Sequence, residues 1–469
     1  MPAGLSDLQR TPRMASGGLA LAAILVCFAG VIGVMLPRTM AFWVPLLMLA
    51  AIVPVLAFPV SGSAAVSPGS VFAGLGDGER RALAALALFA VWALLSTIWS
   101  SARGHSAGKS LYLLLVLGCF AGLPAWRGRA PRTHLERLGI GLLAAVSLTS
   151  IVMAIDVWTN QGFIRWLLTT FPVLRGEGTK HVLSTNGVIT SLTENEINRR
   201  TAVLTLLLWP AMLIAVNLWR GHLDAAPLLA RSIPGRLLRA AFVPAIAAVG
   251  AAAVLAIALG GHQSSQTAMV AGVFTFLVAR FLPRATILAA AAAWALMVLL
   301  IVPIVMGAHA KGLQEAPWLF HSARHRVVIW NHTVERIALK PWIGIGADAT
   351  PAAKEFADDL ATKDAGFPVS TGRHAHNAYL QVWYELGGIG ALLLLVSGLA
   401  LLAAIAAMPA RLLPWALAQA ATSAIMAASS FSIWQVWFLA SIAAGAAALF
   451  LAGSTSADRA GGSPGSAGG

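Results

Sequence analysis

Hydrophobic residues in this chain run in long blocks rather than in the alternation of a half-buried strand. Reading the blocks against their polar breaks predicts twelve helical spans, near 18–36, 40–60, 81–101, 108–125, 138–157, 201–219, 237–259, 265–282, 285–306, 378–407, 411–428 and 432–452. They are close to the length of about 20 residues that an α-helix needs to cross a hydrocarbon core. None shows the two-residue period of barrel strands, so the pattern predicts an all-α polytopic integral membrane protein, 1–469 forming a single membrane domain. Two long polar connections, 158–200 and 307–377, interrupt the series, and a Gly/Ser-rich tail, 453–469, is expected to be disordered. The first connection carries a turn signal at Thr185-Asn186-Gly187 and, from Thr193 to Glu196, the pattern of a capped helix start. In the second, Val327, Trp330, Val334, Ile337 and Ala338 recur at helical spacing and predict an amphipathic surface helix from His321 to Leu339, ended by Pro341.

Composition strengthens this picture. A mean hydropathy of +0.78, with 58% hydrophobic and 11% charged residues, excludes a large soluble domain. The net charge of +14 is scattered between spans rather than gathered in a stripe, so it predicts topology and affinity for anionic lipid or phosphate, not nucleic acid. Arg10, Arg13, Arg80, Arg81, Arg127, Arg129, Arg280, Arg284 and Arg411 all fall on one side if that side is cytoplasmic, which places both termini inside. The two long connections then lie outside, yet they too hold many cations, among them Arg199, Arg200, Arg324, Arg326 and Arg373. A phosphate-bearing ligand handled at the outer face supplies a reason for them. Cys27 and Cys119 fall within predicted spans, which argues against a disulfide framework, and no nucleotide-binding motif is visible.

The candidate chemistry gathers at Arg373-His374-Ala375-His376-Asn377, which closes the longest polar connection and opens the tenth span. Titratable side chains at the boundary of water and bilayer mark a functional site, although an ordinary polar flank has the same composition. A helix starting near Asn377 aims its free N–H groups at the same place, which favours an anion. His321, His325, His332 and Glu335 share the amphipathic helix, but no metal-site motif accompanies them and no metal is expected.

His376-Asn377, nine residues, Gly387, two residues and Gly390 resemble the pattern His-(Asn/Ser/Gln)-x9-Gly-x-x-Gly of bacterial O-antigen ligases, within the O-antigen ligase and polymerase superfamily. Arg200 to Leu204 is similar to the Arg-x-x-x-Leu element of such ligases, and Arg326 to Trp330 with Pro341-Trp342-Ile343-Gly344-Ile345-Gly346 resembles their outer-loop region. One departure is Gln263-Ser264-Ser265-Gln266, where related proteins often carry a Ser-Arg pair. The resemblance implies glycosyl transfer at the periplasmic face of the bacterial inner membrane, from a glycan on undecaprenyl pyrophosphate to a sugar hydroxyl of lipid A–core, without cofactor or metal. It implies His376 as general base in an inverting displacement and Arg200 and Arg326 on the pyrophosphate, helped by Arg199 and Arg324. Asn377, Gly387 and Gly390 take supporting parts. An O-antigen polymerase or a protein O-oligosaccharyltransferase uses the same donor with another acceptor. A lipid-linked sugar transporter is a weaker alternative, because the spans hold almost no ionisable residues at mid-depth.

Overall fold

A computed structural model of the protein describes residues 11–57, 75–126, 132–175, 181–183, 186–225, 233–353 and 374–461. Arg10, Arg127, Arg129 and Arg373 lie outside the described residues. Every one of the twelve apolar runs coincides with a helix: α1 (Thr11–Met35), α2 (Met40–Ala57), α3 (Asp77–Leu95), α4 (Arg103–Gly122), α5 (Arg132–Trp158), α7 (Glu194–Ala225), α8 (Ile233–Leu259), α9 (Gln263–Phe281), α10 (Pro283–Ala310), α12 (Ala378–Ala406), α13 (Leu413–Ser429) and α14 (Val436–Gly461). Among the described residues, six helices are long and apolar enough to cross a membrane, so the protein is a helical, polytopic membrane protein.

The long connections carry structure of their own. The first contains α6 (Gly162–Thr170) and a small antiparallel ribbon, β1 (His181–Leu183) with β2 (Ile189–Leu192), the one departure from an all-helical chain among the described residues. Gly187 adopts a left-handed conformation between the strands, as the turn signal there requires. The second contains α11 (His321–Ile337), whose Val327, Val334 and Ile337 are buried as the apolar spacing predicts, while Trp330 is half-buried and Ala338, past the helix end, is exposed. At the C-terminal end α14 runs on to Gly461, into the segment expected to be disordered. Extending an existing helix needs no new nucleus, so weak helix formers follow it.

The chain separates into two compact units, one of Met1–Ser63, Ala125–Gln266 and Ser441–Gly469, the other of Ala64–Pro124 and Thr267–Ala440. In the first, α5 packs against α1, α7 and α8. The N-terminal half of α7 is its buried centre, with Ala202, Val203, Leu204 and Leu206 at 0% exposure.

In the second unit α12 is the central element, packed by α3, α10, α11 and α13. It is not one continuous helix. Gly387 lies at φ 66° and ψ −168°, a conformation that only glycine adopts without strain, and there the helix breaks in two. The backbone groups freed by the break are met by the segment 341–346. Gly388 N–H donates to Pro341 O (2.7 Å) and Ile389 N–H to Trp342 O (3.3 Å), while Tyr384 O and Glu385 O accept from Ile345 N–H (3.2 Å) and Gly346 N–H (2.8 Å). Trp92 Nε1–H donates to Leu386 O at 3.0 Å. A Cβ on Gly387 would fall on the Trp342 backbone, and one on Gly344, also left-handed at φ 65°, on that of Glu385. Broken backbone at membrane depth is tolerated when protein partners satisfy it in this way.

Candidate active site

His376 ends the second long connection in a left-handed conformation, φ 50°. That turn brings Asn377 into extended backbone, where its side-chain oxygen caps α12 by accepting from Tyr379 N–H (3.0 Å) and Leu380 N–H (3.1 Å). The segment is pinned to α11 as well, through Trp330 Nε1–H donating to Ala375 O at 2.8 Å. His376 Nδ1 faces Ser430 O at 2.9 Å. A carbonyl oxygen only accepts, so Nδ1 carries the proton and Nε2 keeps its lone pair.

The surroundings hold this imidazole neutral. Burial is the main cause of a pKa drawn down to about 4; the Ser430 carbonyl opposes it, and the charges of Arg326 and His325 add to it. The His374 ring lies tilted by 52° against that of His376 with centroids 4.0 Å apart, and its Nδ1 accepts the His376 backbone N–H at 3.1 Å. Burial, His376 and Arg326 push His374 well below the usual histidine range. His374 is thus in direct contact with His376 while remaining half-buried.

Below the site, α12 carries a fully buried carboxylate that sequence reading passed over. Glu385 Oε1 accepts from Thr350 N–H (3.3 Å), Thr350 Oγ1–H (2.5 Å) and Gln381 Nε2–H (3.2 Å). Its Oε2 accepts from Asp348 N–H (3.0 Å) and from Trp434 Nε1–H. Gln381 Oε1 in turn accepts from Ile433 N–H at 3.3 Å.

The four arginines fall into two groups. Arg324 and Arg326 stand on α11 in the same unit as His376. Arg326 has no carboxylate partner among the described residues, and burial lowers its pKa. The Arg324 Nε is buried without a hydrogen-bond partner among the described residues. Arg199 and Arg200 belong to the other unit, on α7. Arg199 pairs with Glu196 at 2.6 Å, so Glu196 serves that arginine. Arg200 is 1% exposed, with Nη1 on Asp156 Oδ2 at 2.5 Å and Nη2 on Gln161 Oε1 at 2.9 Å. Its Nε also donates to Glu196 O at 3.4 Å, so three of its five N–H groups are engaged inside the protein. Gly390 lies against Leu386 across the helix break, which leaves no room for a side chain there.

Arg326 shares a unit with His376 and its charge disfavours the imidazolium, so a fixed cation accompanies a neutral base, a combination suited to moving a proton while an anion is held. Residues 247–395, a stretch that includes Arg324, Arg326, His376, Asn377, Gly387 and Gly390, match the family model described as O-Antigen ligase. No curated protein gives a significant match to the chain.

Proposed function

We propose, on the premise that this match supports membership of the O-antigen ligase superfamily, that the protein is a membrane glycosyltransferase acting as an O-antigen ligase. Its donor is a polysaccharide on undecaprenyl pyrophosphate, and its acceptor a hydroxyl of lipid A–core, joined at the periplasmic face of the inner membrane. Both termini are cytoplasmic, all twelve spans cross the bilayer, and the connections 158–200 and 307–377 form the periplasmic side.

The observation that carries this reading is the Nδ1–H bond of His376 to Ser430 O, which leaves Nε2 as a proton acceptor. In the proposed step the acceptor oxygen attacks the anomeric carbon and its proton passes to Nε2. The bond from that carbon to the pyrophosphate oxygen breaks, and undecaprenyl pyrophosphate leaves with the electron pair. Single displacement inverts the anomeric centre. Charge grows on the leaving oxygens, where a guanidinium binds bidentately and stays ionised. We assign Arg326 and Arg324 to those oxygens. A donor pyrophosphate beside Arg326 also offsets the cations that depress His376, raising its basicity when substrate is present.

The test is transfer by purified protein in detergent with chelator, from a defined undecaprenyl-pyrophosphate glycan to lipid A–core, read as a lipopolysaccharide ladder. His376→Ala is expected to reduce transfer by about 10²–10⁴-fold while donor binding persists. Transfer by that variant at the wild-type rate overturns the base assignment. Chain extension of the donor, or glycosylation of an added protein, in place of lipid A–core transfer overturns the acceptor assignment.

A further inference from the structure

The Ser430 carbonyl that fixes the His376 tautomer lies in the connection between α13, which ends at Ser429, and α14, which begins at Val436. Six residues link these helices without a regular backbone ladder, so the place of this carbonyl depends on side-chain hooks. Two are present. Ile433 N–H donates to Gln381 Oε1, and Trp434 Nε1–H to Glu385 Oε2. Trp434 is 1% exposed and Glu385 is 0% exposed, so neither group exchanges its partner for bulk water.

Gln381 and Glu385 are four apart on α12 and present one face. The helix that starts two residues after His376 thus also grips the turn whose carbonyl accepts the His376 Nδ1–H. We infer that Glu385, Gln381 and Trp434 are positioning residues that hold Ser430 O against His376 and so keep the imidazole in its Nδ1–H form. The consequence for transfer rests on the proposed function; the tautomer itself does not.

The carboxylate is suited to this in a way an amide is not. Five donors converge on its two oxygens. A glutamine has one acceptor oxygen and would turn its NH2 toward some of these N–H and O–H groups. Glu385→Gln therefore keeps the volume and breaks the hook.

The experiment reads the tautomer directly. Protein labelled with 15N-histidine, in lipid nanodiscs at pH 7.5, gives ring nitrogen shifts that separate Nδ1–H from Nε2–H imidazole, and His376→Gln assigns the resonance by subtraction. Wild type is expected to show one Nδ1–H species for His376. Trp434→Phe and Glu385→Gln are expected to show a mixture of both tautomers. Their kcat for transfer falls at least about tenfold, with KM for the donor within about twofold. Thr350→Val is the control for mere structural support, since it removes a donor from the same carboxylate but leaves both hooks. It lowers thermal stability without mixing the tautomers.

A single Nδ1–H species in Trp434→Phe overturns the inference, as does equal mixing in Thr350→Val. Should Trp434→Phe not fold, Gln381→Met loses the other hook and gives the same reading. Failure of wild type to transfer glycan sinks the proposed function and leaves the tautomer result intact. Normal transfer with an unchanged tautomer in Trp434→Phe sinks this inference alone.

Discussion

Arg200 and Arg326 carry the same guanidinium in opposite settings. Arg200, on α7, is buried and has an acidic partner in Asp156, whose other oxygen accepts Ile164 N–H at 3.2 Å. Arg326, on α11, is partly buried, has no carboxylate partner among the described residues, and lies close enough to His376 to depress its pKa. A paired arginine has its field largely cancelled and its geometry set by the protein. An arginine without a counter-ion keeps both for a ligand, at a cost in stability. Sequence alone gives the two the same assignment, since both fall within a long polar connection.

The difference should appear first in stability. Asp156→Ala leaves the Arg200 charge buried with only the Gln161 and Glu196 oxygens for company, which costs about 3–5 kcal/mol. Thermal unfolding in detergent should show this as a large drop in the midpoint. The double variant Arg200→Met with Asp156→Leu removes both charges and should recover most of the loss, because well-packed apolar groups often replace a buried pair without penalty. A double variant as unstable as the single one would mean that Arg200 contributes more than neutralisation of Asp156.

Activity reverses the order. Arg326→Ala should lower kcat/KM for the lipid-linked donor by about 10²–10³-fold, the scale for loss of one group that stabilises developing charge, with a midpoint close to wild type. Arg326→Lys keeps the charge and loses the planar fork, so it should fall between. If Arg326→Ala unfolded as readily as Asp156→Ala and its folded fraction transferred at full rate, the contrast would collapse and both arginines would be structural.

The sequence made the helices legible because a bilayer demands long apolar runs, and these are continuous in the chain. Helix α11 was legible from the spacing of Val327, Val334 and Ile337 alone. What escaped were pairings across large separations. Asp156 and Arg200 stand 44 positions apart and Glu385 and Trp434 49 apart, and no local pattern links either pair. The break in α12 escaped too: Gly387 and Gly344 each read locally as packing or turn glycines. Only the structure shows that the segment at 341–346 completes the hydrogen bonding of the interrupted helix. Helix α6 and the β1–β2 ribbon are nine residues or fewer, too short for periodicity to set them apart within a polar connection.

The smallest effect probes the electrostatics directly. His376 is held neutral by burial first and by the charges of Arg326 and His325 as well, against the pull of Ser430 O. A general base must be neutral to work, so the acid limb of kcat/KM is expected near pH 4 rather than near the ordinary histidine value of about 6.5. Transfer should stay almost level from pH 8 to about pH 5.5 and fall below that. Arg326→Gln removes a cation that disfavours the imidazolium, so the limb should move up in pH, by less than the whole displacement because burial remains. The same charge change made in the other unit, Arg199→Gln, should leave the limb in place, since Arg199 is not among the causes of the His376 shift and is neutralised by Glu196. An equal displacement in both variants would show that the limb reports the net charge of the protein rather than the pairing of Arg326 with His376.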